Sequence, residues 1–451
     1  METKLSWHEH LKRERIKRGW SQGDVANRIG SDNKTVSRWE RGITFPDPYN
    51  RQHLAKLYKK SVEELGLVEQ DAGETADEVQ SVLRRARLED WGEAPDVERF
   101  YGRAEELCEL EHWIIDEHCR LVTLLGMGGV GKTALAIRAA KQVQVTHPFE
   151  FIFWRSLQNA PAVESLLGNC LQNLCRERVV DVSRNLDEQI SLLIACLKEH
   201  RCLFILDNVE SVLQAERRVG QYLESYEGYG LLFQRIGEIS HQSCLMLTSR
   251  EKPGEVARLE GVESPVRSLR LDGMEPGSGQ ELLKDKGLFG TDNLWRTLVR
   301  RYAGNPLALK LAAEPIREVF GGDIAAFLEG DEVVFGDIFD LLEQQFQRLS
   351  TMERYVLYWL AIERENVSLH TLEKKLRHQI NRRTLLEALD SLHRRSIIEV
   401  RSDGQFLLQP LIMDYVTGKY VALLPVFIGG CIIPGKDALS CARPPLALEA
   451  T

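Results

Sequence analysis

At 451 residues, with 43% hydrophobic and 28% charged side chains, the chain has the make-up of a soluble globular protein of roughly three domains. Its nine cysteines form no Cys-x-x-Cys pair, which speaks against a disulfide framework or a zinc site and for a reducing cytoplasm. Residues 1–20 are too charged for a secretory signal. The longest apolar run, 421–434, is broken by Pro425, Gly429 and Gly430 and falls short of the roughly twenty residues that cross a membrane.

Charge is unevenly placed. Residues 1–66 hold 14 Lys and Arg against 9 Asp and Glu, so a head at +5 precedes a remainder at −14. Such a head suits a polyanion; a solvated helical surface would look the same by charge alone. Helical periodicity runs through 5–18, 22–29, 34–41 and 49–58, punctuated by Gly19, Gly30 and Pro46 to Pro48. An acidic linker follows at 68–97, with a short helical pattern at 77–88.

Short apolar runs at Leu121–Leu125, 151–157, 203–206, 244–247 and 266–271 alternate with helical patterns, which predicts a parallel α/β sheet. From 277 to about 326 only helical patterns occur. Residues 336–420 add further helices and a two-strand wing, 397–400 and 405–408, turned at Ser402, Asp403 and Gly404. Beyond 420 the helical pattern is lost. The chain thus reads as a multidomain α/β protein: an all-α head (1–67), the linker, a P-loop NTPase with a parallel sheet (98–272), a helical domain (273–335), a winged helix (336–420) and an irregular tail (421–451).

Gly126-Met-Gly-Gly-Val-Gly-Lys-Thr133 fits the phosphate-binding pattern at every position, with a strand entering and a helix leaving. Gly126, Gly128, Gly129 and Gly131, with Val130, let successive backbone N–H groups face phosphate oxygens, and the helix start adds partial positive charge. Lys132 then reaches the β and γ phosphates of ATP, and Thr133 holds Mg²⁺. The apolar strand ending at Asp207 places a second metal-holding carboxylate at the mouth of the sheet. Asn208 stands next, where many ATPases carry a general base. An amide accepts no proton from water, so slow hydrolysis is expected, with Glu210 the nearest substitute carboxylate. A third strand ends in Thr248-Ser249-Arg250, whose guanidinium suits a terminal phosphate.

Together with Phe100-Tyr-Gly-Arg103, Glu106-Leu107 and Gly304-Asn-Pro-Leu-Ala-Leu309, these motifs resemble the NB-ARC class of STAND signalling ATPases. The resemblance spans about 96–417. It implies ADP or ATP bound with Pro306 against the nucleotide and Phe100, Gly102 and Arg103 near the adenine. It implies a switch in which the winged helix closes on ADP and swings away with ATP, allowing self-association. Gln409 stands where many members carry a clamp histidine; its amide can still donate to a phosphate. Repeats normally follow the winged helix in this group, so the short remainder reads as a truncated member.

The head resembles a Cro/repressor-type (XRE) helix-turn-helix in Ser21-Gln-Gly-Asp-Val-Ala26 and Asn33-Lys-Thr-Val-Ser-Arg-Trp-Glu-Arg-Gly42. Val25, Ala26, Ile29, Val36, Trp39, Leu54 and Leu57 make its expected core. Asn33, Lys34, Ser37 and Arg38 then face the major groove, with Gln22 and Arg41 on phosphates. A protein-adaptor role for the same module remains the alternative, as in defence-type STAND proteins. A fast P-loop kinase or ATPase is disfavoured by Asn208 and the Gly304-Asn-Pro306 segment.

Overall fold

A computed structural model describes residues 7–67 and 89–427, apart from 30, 32, 43, 45, 47, 63, 147–148, 175–184, 217–218, 331–335, 364–365, 377–378 and 402. The helical pattern at 77–88 and the tail beyond 427 lie outside the described residues. The chain divides into two units, residues 1–84 and 85–451.

Among its described residues the first unit contains four short helices: α1 (Trp7–Lys17), α2 (Gln22–Ile29), α3 (Asn33–Glu40) and α4 (Pro48–Tyr58). Leu11, Val25, Ala26, Ile29, Val36, Trp39, Leu54, Tyr58, Leu65 and Leu67 are buried together. Leu57 is only partly buried, and Tyr58 takes the interior place instead. The Arg15–Glu40 ion pair is built into this small core. Arg15 grips Glu40 through both nitrogens of its fork, Nη2 to Oε2 at 2.8 Å, and the Glu40 side chain is 3% exposed.

In the second unit, strands β1 (Glu89–Asp90), β2 (Leu121–Leu125), β3 (Phe151–Ser156), β4 (Cys202–Asp207), β5 (Cys244–Ser249) and β6 (Val266–Arg270) form one sheet, in the order β1-β3-β4-β5-β2-β6. Every pairing is parallel. β2, β4 and β5 are buried along their whole length, which is why they read as unbroken apolar runs. Helices cover both faces over separate apolar clusters. β1 corrects the linker expectation. Glu89 and Asp90 add to the sheet edge beside Ile152 and Phe153, and Asp90 is held by both Arg155 nitrogens at 3.0 and 2.6 Å.

Helices Pro276–Lys284, Asp292–Arg301 and Pro306–Val319 follow, then the winged helix. Its sheet has three strands, because β7 (Val367–Ser368) joins β8 (Ile398–Val400) and β9 (Gln405–Leu408) in the order β7-β9-β8. Two residues are too few to show alternation, so β7 left no sequence signal. Asn381 accepts from the Thr384 N–H at 2.8 Å and caps its helix, which gives Asn381-Arg-Arg383 a structural role. The last helix, Pro410–Phe427, extends past 420 and corrects the expected loss of helix there. Apolar side chains from Met274 to Val416 form one cluster, which also takes in Met127 of the phosphate loop. Among the described residues no helix is long and apolar enough to cross a membrane, and Cys108, Cys119, Cys170, Cys196, Cys202 and Cys244 are thiols.

Candidate functional site

The site forms at the carboxyl ends of β2, β4 and β5. Between β2 and the helix Lys132–Thr146 the loop turns through φ +78° at Gly129 and +102° at Gly131, conformations that any Cβ would strain. A methyl at Gly129 would also lie 2.6 Å from the Leu307 Cβ. Lys132 is 7% exposed and donates to the Gly126 and Met127 carbonyls at 2.8 and 2.9 Å. Burial lowers its pKa to about 8, with Glu210 and Asp207 opposing the shift. A buried ammonium held by neutral carbonyls is a ready partner for an anion.

Asp207 closes the other side. Its Oδ1 accepts the Thr133 hydroxyl at 2.7 Å and the Thr248 hydroxyl as well. Burial pushes its pKa up, against those two hydrogen bonds. Thr133 and Asp207 therefore meet as hard oxygen donors beside the loop, as Mg²⁺ requires. Asn208 has φ +61°; its N–H donates to Thr248 Oγ1 at 3.1 Å and its amide lies 3.4 Å from Ser156 Oγ. Arg250 sits across the loop, where a methyl at Gly128 would come within 3.1 Å of its Cζ. Its Nε meets Glu210 Oε1 at 3.1 Å, and its backbone N–H donates to Glu210 Oε2 at 3.1 Å.

Asn305, a motif residue to which no role is attached by sequence alone, carries the contact that joins the helical segment to the loop. Its Nδ2 donates to Gly128 O at 2.9 Å while its Oδ1 caps the next helix through the Leu307 and Ala308 N–H groups. Pro306 opens that helix, and its Cγ would lie 4.0 Å from a methyl at Gly131. Arg103, at φ +65°, pairs with Glu106 and donates to the Asp272 carbonyl; Gly102 packs against Ser278, and Phe100 lies on the cluster below the loop. Gln409 lines a narrow cleft with Met127, Val130, Asp272 and Asn305, but its amide donates to Glu399 Oε1 at 2.9 Å. One of the two hydrogens of the amide that could donate to a phosphate is thus engaged within the winged helix.

The loop after β5 is also gripped by the winged helix. Glu251, 2% exposed, meets Arg395 Nη1 at 2.6 Å and the Arg348 Nε, and Arg395 Nε continues to Glu353 at 2.9 Å. The Lys252 N–H donates to the Arg394 carbonyl at 3.1 Å, and Arg394 Nη2 returns to the Lys252 carbonyl at 2.9 Å. Arg270, at the end of β6, donates to the His393 carbonyl at 2.6 Å. No sequence pattern pointed to this network.

On α3 of the head, Asn33, Lys34 and Arg38 are exposed, Ser37 is half-buried, and Val36 and Trp39 turn inward. Arg41 is exposed and its Nε donates to the Ser37 carbonyl at 3.3 Å. Gln22 donates to Glu40 Oε2 at 2.9 Å, so one of its amide hydrogens serves the Arg15–Glu40 pair.

A family model for the NB-ARC domain matches residues 103–287, and one for a helix-turn-helix matches residues 11–65. The chain thus carries an NB-ARC domain behind a helix-turn-helix head. It is 50% identical over 342 residues to an uncharacterized WD repeat-containing protein of a Nostoc species, covering 74% of this chain and 27% of that one. It is 28% identical over 236 residues to a nucleotide-binding leucine-rich repeat (NLR)-like protein of the fungus Hyaloscypha variabilis, covering 49% and 22%. The chain therefore spans about a quarter of the length of these curated relatives. Among solved structures it is similar to a STAND protein with a tetratricopeptide repeat sensor from Pyrococcus horikoshii, at 19% identity and a TM-score of 0.38, covering 72% of this chain and 44% of that one. The NB-ARC match and the P-loop fold support nucleotide binding by this domain.

Proposed function

We propose that the NB-ARC domain binds ADP and ATP with Mg²⁺, hydrolyses ATP slowly, and uses the nucleotide's state to set the position of the winged helix. One observation carries this reading: Arg250, beside the phosphate loop, and Glu251, locked to the winged helix, are adjacent residues of one short segment. A phosphate that moves Arg250 acts on the anchor of the winged helix at the same time. Lys132 holds the β and γ phosphates, Thr133 and Asp207 hold the metal, and the loop glycines present backbone N–H groups. Mg²⁺ held by these oxygens would neutralise charge on the phosphates. The winged helix packed on the loop corresponds to the ADP state; release of that contact with ATP leaves the NTPase faces open for self-association.

The head couples this switch to duplex DNA through Asn33, Lys34, Ser37 and Arg38 of α3, with Arg41 on phosphates. The exposed side of α3 supports this, since the buried Val36 and Trp39 leave its polar residues outward. The adaptor role of defence-type STAND proteins is the second reading, favoured by the NLR-like relative. A soluble, cytoplasmic protein fits both. Calorimetric titration of ADP and ATP into the full chain tests the nucleotide reading. One site per chain is expected, lost in Lys132→Ala; equal binding by that variant would overturn it.

A further inference from the structure

Glu210 lies on the 3₁₀ turn Val209–Val212 that leaves β4, three residues after Asp207. It is 7% exposed and meets Arg250, whose guanidinium lies beside Gly128, so it belongs to the phosphate end of the site. Both of its carboxylate oxygens are engaged by Arg250, one by Nε and one by the backbone N–H. The turn is held from behind as well, because Arg348 Nη2 donates to the Glu210 and Leu213 carbonyls at 3.0 and 3.1 Å. The neighbouring carboxylate, Asp207, has Oδ1 committed to two hydroxyls, and Asn208 offers only an amide.

We propose that Glu210 is the general base for ATP hydrolysis, restrained by Arg250 until a γ-phosphate draws the guanidinium away. The proposal rests on the reading that the loop holds ATP. The γ-phosphate and Glu210 compete for one cation beside Gly128, and the doubly charged phosphate is the stronger competitor. Once Oε1 is released, Glu210 takes a proton from the attacking water. The water oxygen bonds to the γ-phosphorus, the bond from that phosphorus to the β,γ-bridging oxygen breaks, and its electron pair leaves on ADP. The proton then passes from Glu210 to solvent. Asn208 turns aside toward Ser156, so a restrained Glu210 predicts hydrolysis that is slow without being absent.

The test is single-turnover hydrolysis by the full chain in excess over ATP, with calorimetric affinities for ATP and ADP measured alongside. Glu210→Gln preserves shape and a hydrogen-bond acceptor for Arg250 while removing the base. Its expected result is a rate constant lower by about 100-fold with both affinities within about threefold of the parent. Glu210→Asp retains a carboxylate and should recover part of the rate. The proposal is overturned if Glu210→Gln hydrolyses at the parent rate. It is also overturned if ATP affinity falls as far as the rate, since Glu210 would then only position Arg250. A parent chain that binds ATP without turning it over refutes the base and leaves the nucleotide reading standing. A parent chain that binds no ATP refutes both.

Discussion

Glu251→Gln neutralises one buried carboxylate that two arginines of the winged helix share. Arg395 keeps Glu353, and Arg348 keeps the carbonyls of Glu210 and Leu213, so each guanidinium retains a partner. What is lost is one member of a pair in which Arg395 and Glu251 are both 2% exposed. Removing one partner of such a pair costs about 3 kcal/mol. Glu251 belongs to the NTPase and both arginines to the winged helix, so the cost falls on their contact. At that size the ratio of packed to released forms shifts by about 100-fold. The assay is the release rate of a fluorescent ADP analogue, expected to rise by one to two orders of magnitude, with trypsin cleavage of the winged helix rising in parallel. Glu387→Gln is the control, because Arg383 and Glu387 are 88% and 64% exposed and such pairs contribute little. Unchanged ADP release with a fall in global stability would refute the reasoning, since the network would then hold the fold and not the switch.

Other consequences follow from the same geometry. Lys132 has its pKa lowered to about 8 without a phosphate beside it, and a bound phosphate favours its charged form. Nucleotide affinity is therefore expected to be full below pH 8 and to fall by about tenfold per unit as pH rises above it, until the bound-state pKa is reached; affinity that stays flat from pH 7 to 10 by calorimetry would contradict this. Asn305→Ala removes the Gly128 contact and a helix cap at once, and the urea midpoint should drop by the equivalent of about 2 kcal/mol together with weaker ADP binding. For the head, duplex DNA binding by the full chain should weaken steeply with salt, and Arg38→Ala should weaken it further; no binding at low salt would favour the adaptor reading.

The geometry of the candidate site was legible in the sequence because its elements are local. Residues 126–133 supply loop, lysine and hydroxyl within eight positions, and the strand ending in Asp207 carries its own apolar signature. The head was legible for the same reason, with Val36 and Trp39 marking the inner side of α3. The anchor of the winged helix was not, because its charges come together only in three dimensions. Arg348 lies 97 positions from Glu251, and each of these residues alone reads as an ordinary surface charge. Asn305 was visible only as a member of the Gly304-Asn-Pro-Leu-Ala-Leu309 motif, because its bond to Gly128 spans 177 positions. β1 and β7, at two residues each, are set by the edges they meet and not by any periodicity of their own.

The Lys252 amide reports on the proposed switch directly, since its hydrogen bond ends on the Arg394 carbonyl of the winged helix. Hydrogen exchange at that amide should be slow with ADP and Mg²⁺ and faster with a non-hydrolysable ATP analogue, with no difference between the two in Lys132→Ala. Equal protection of the Lys252 amide under both nucleotides, in a chain shown to bind each of them, would contradict the account.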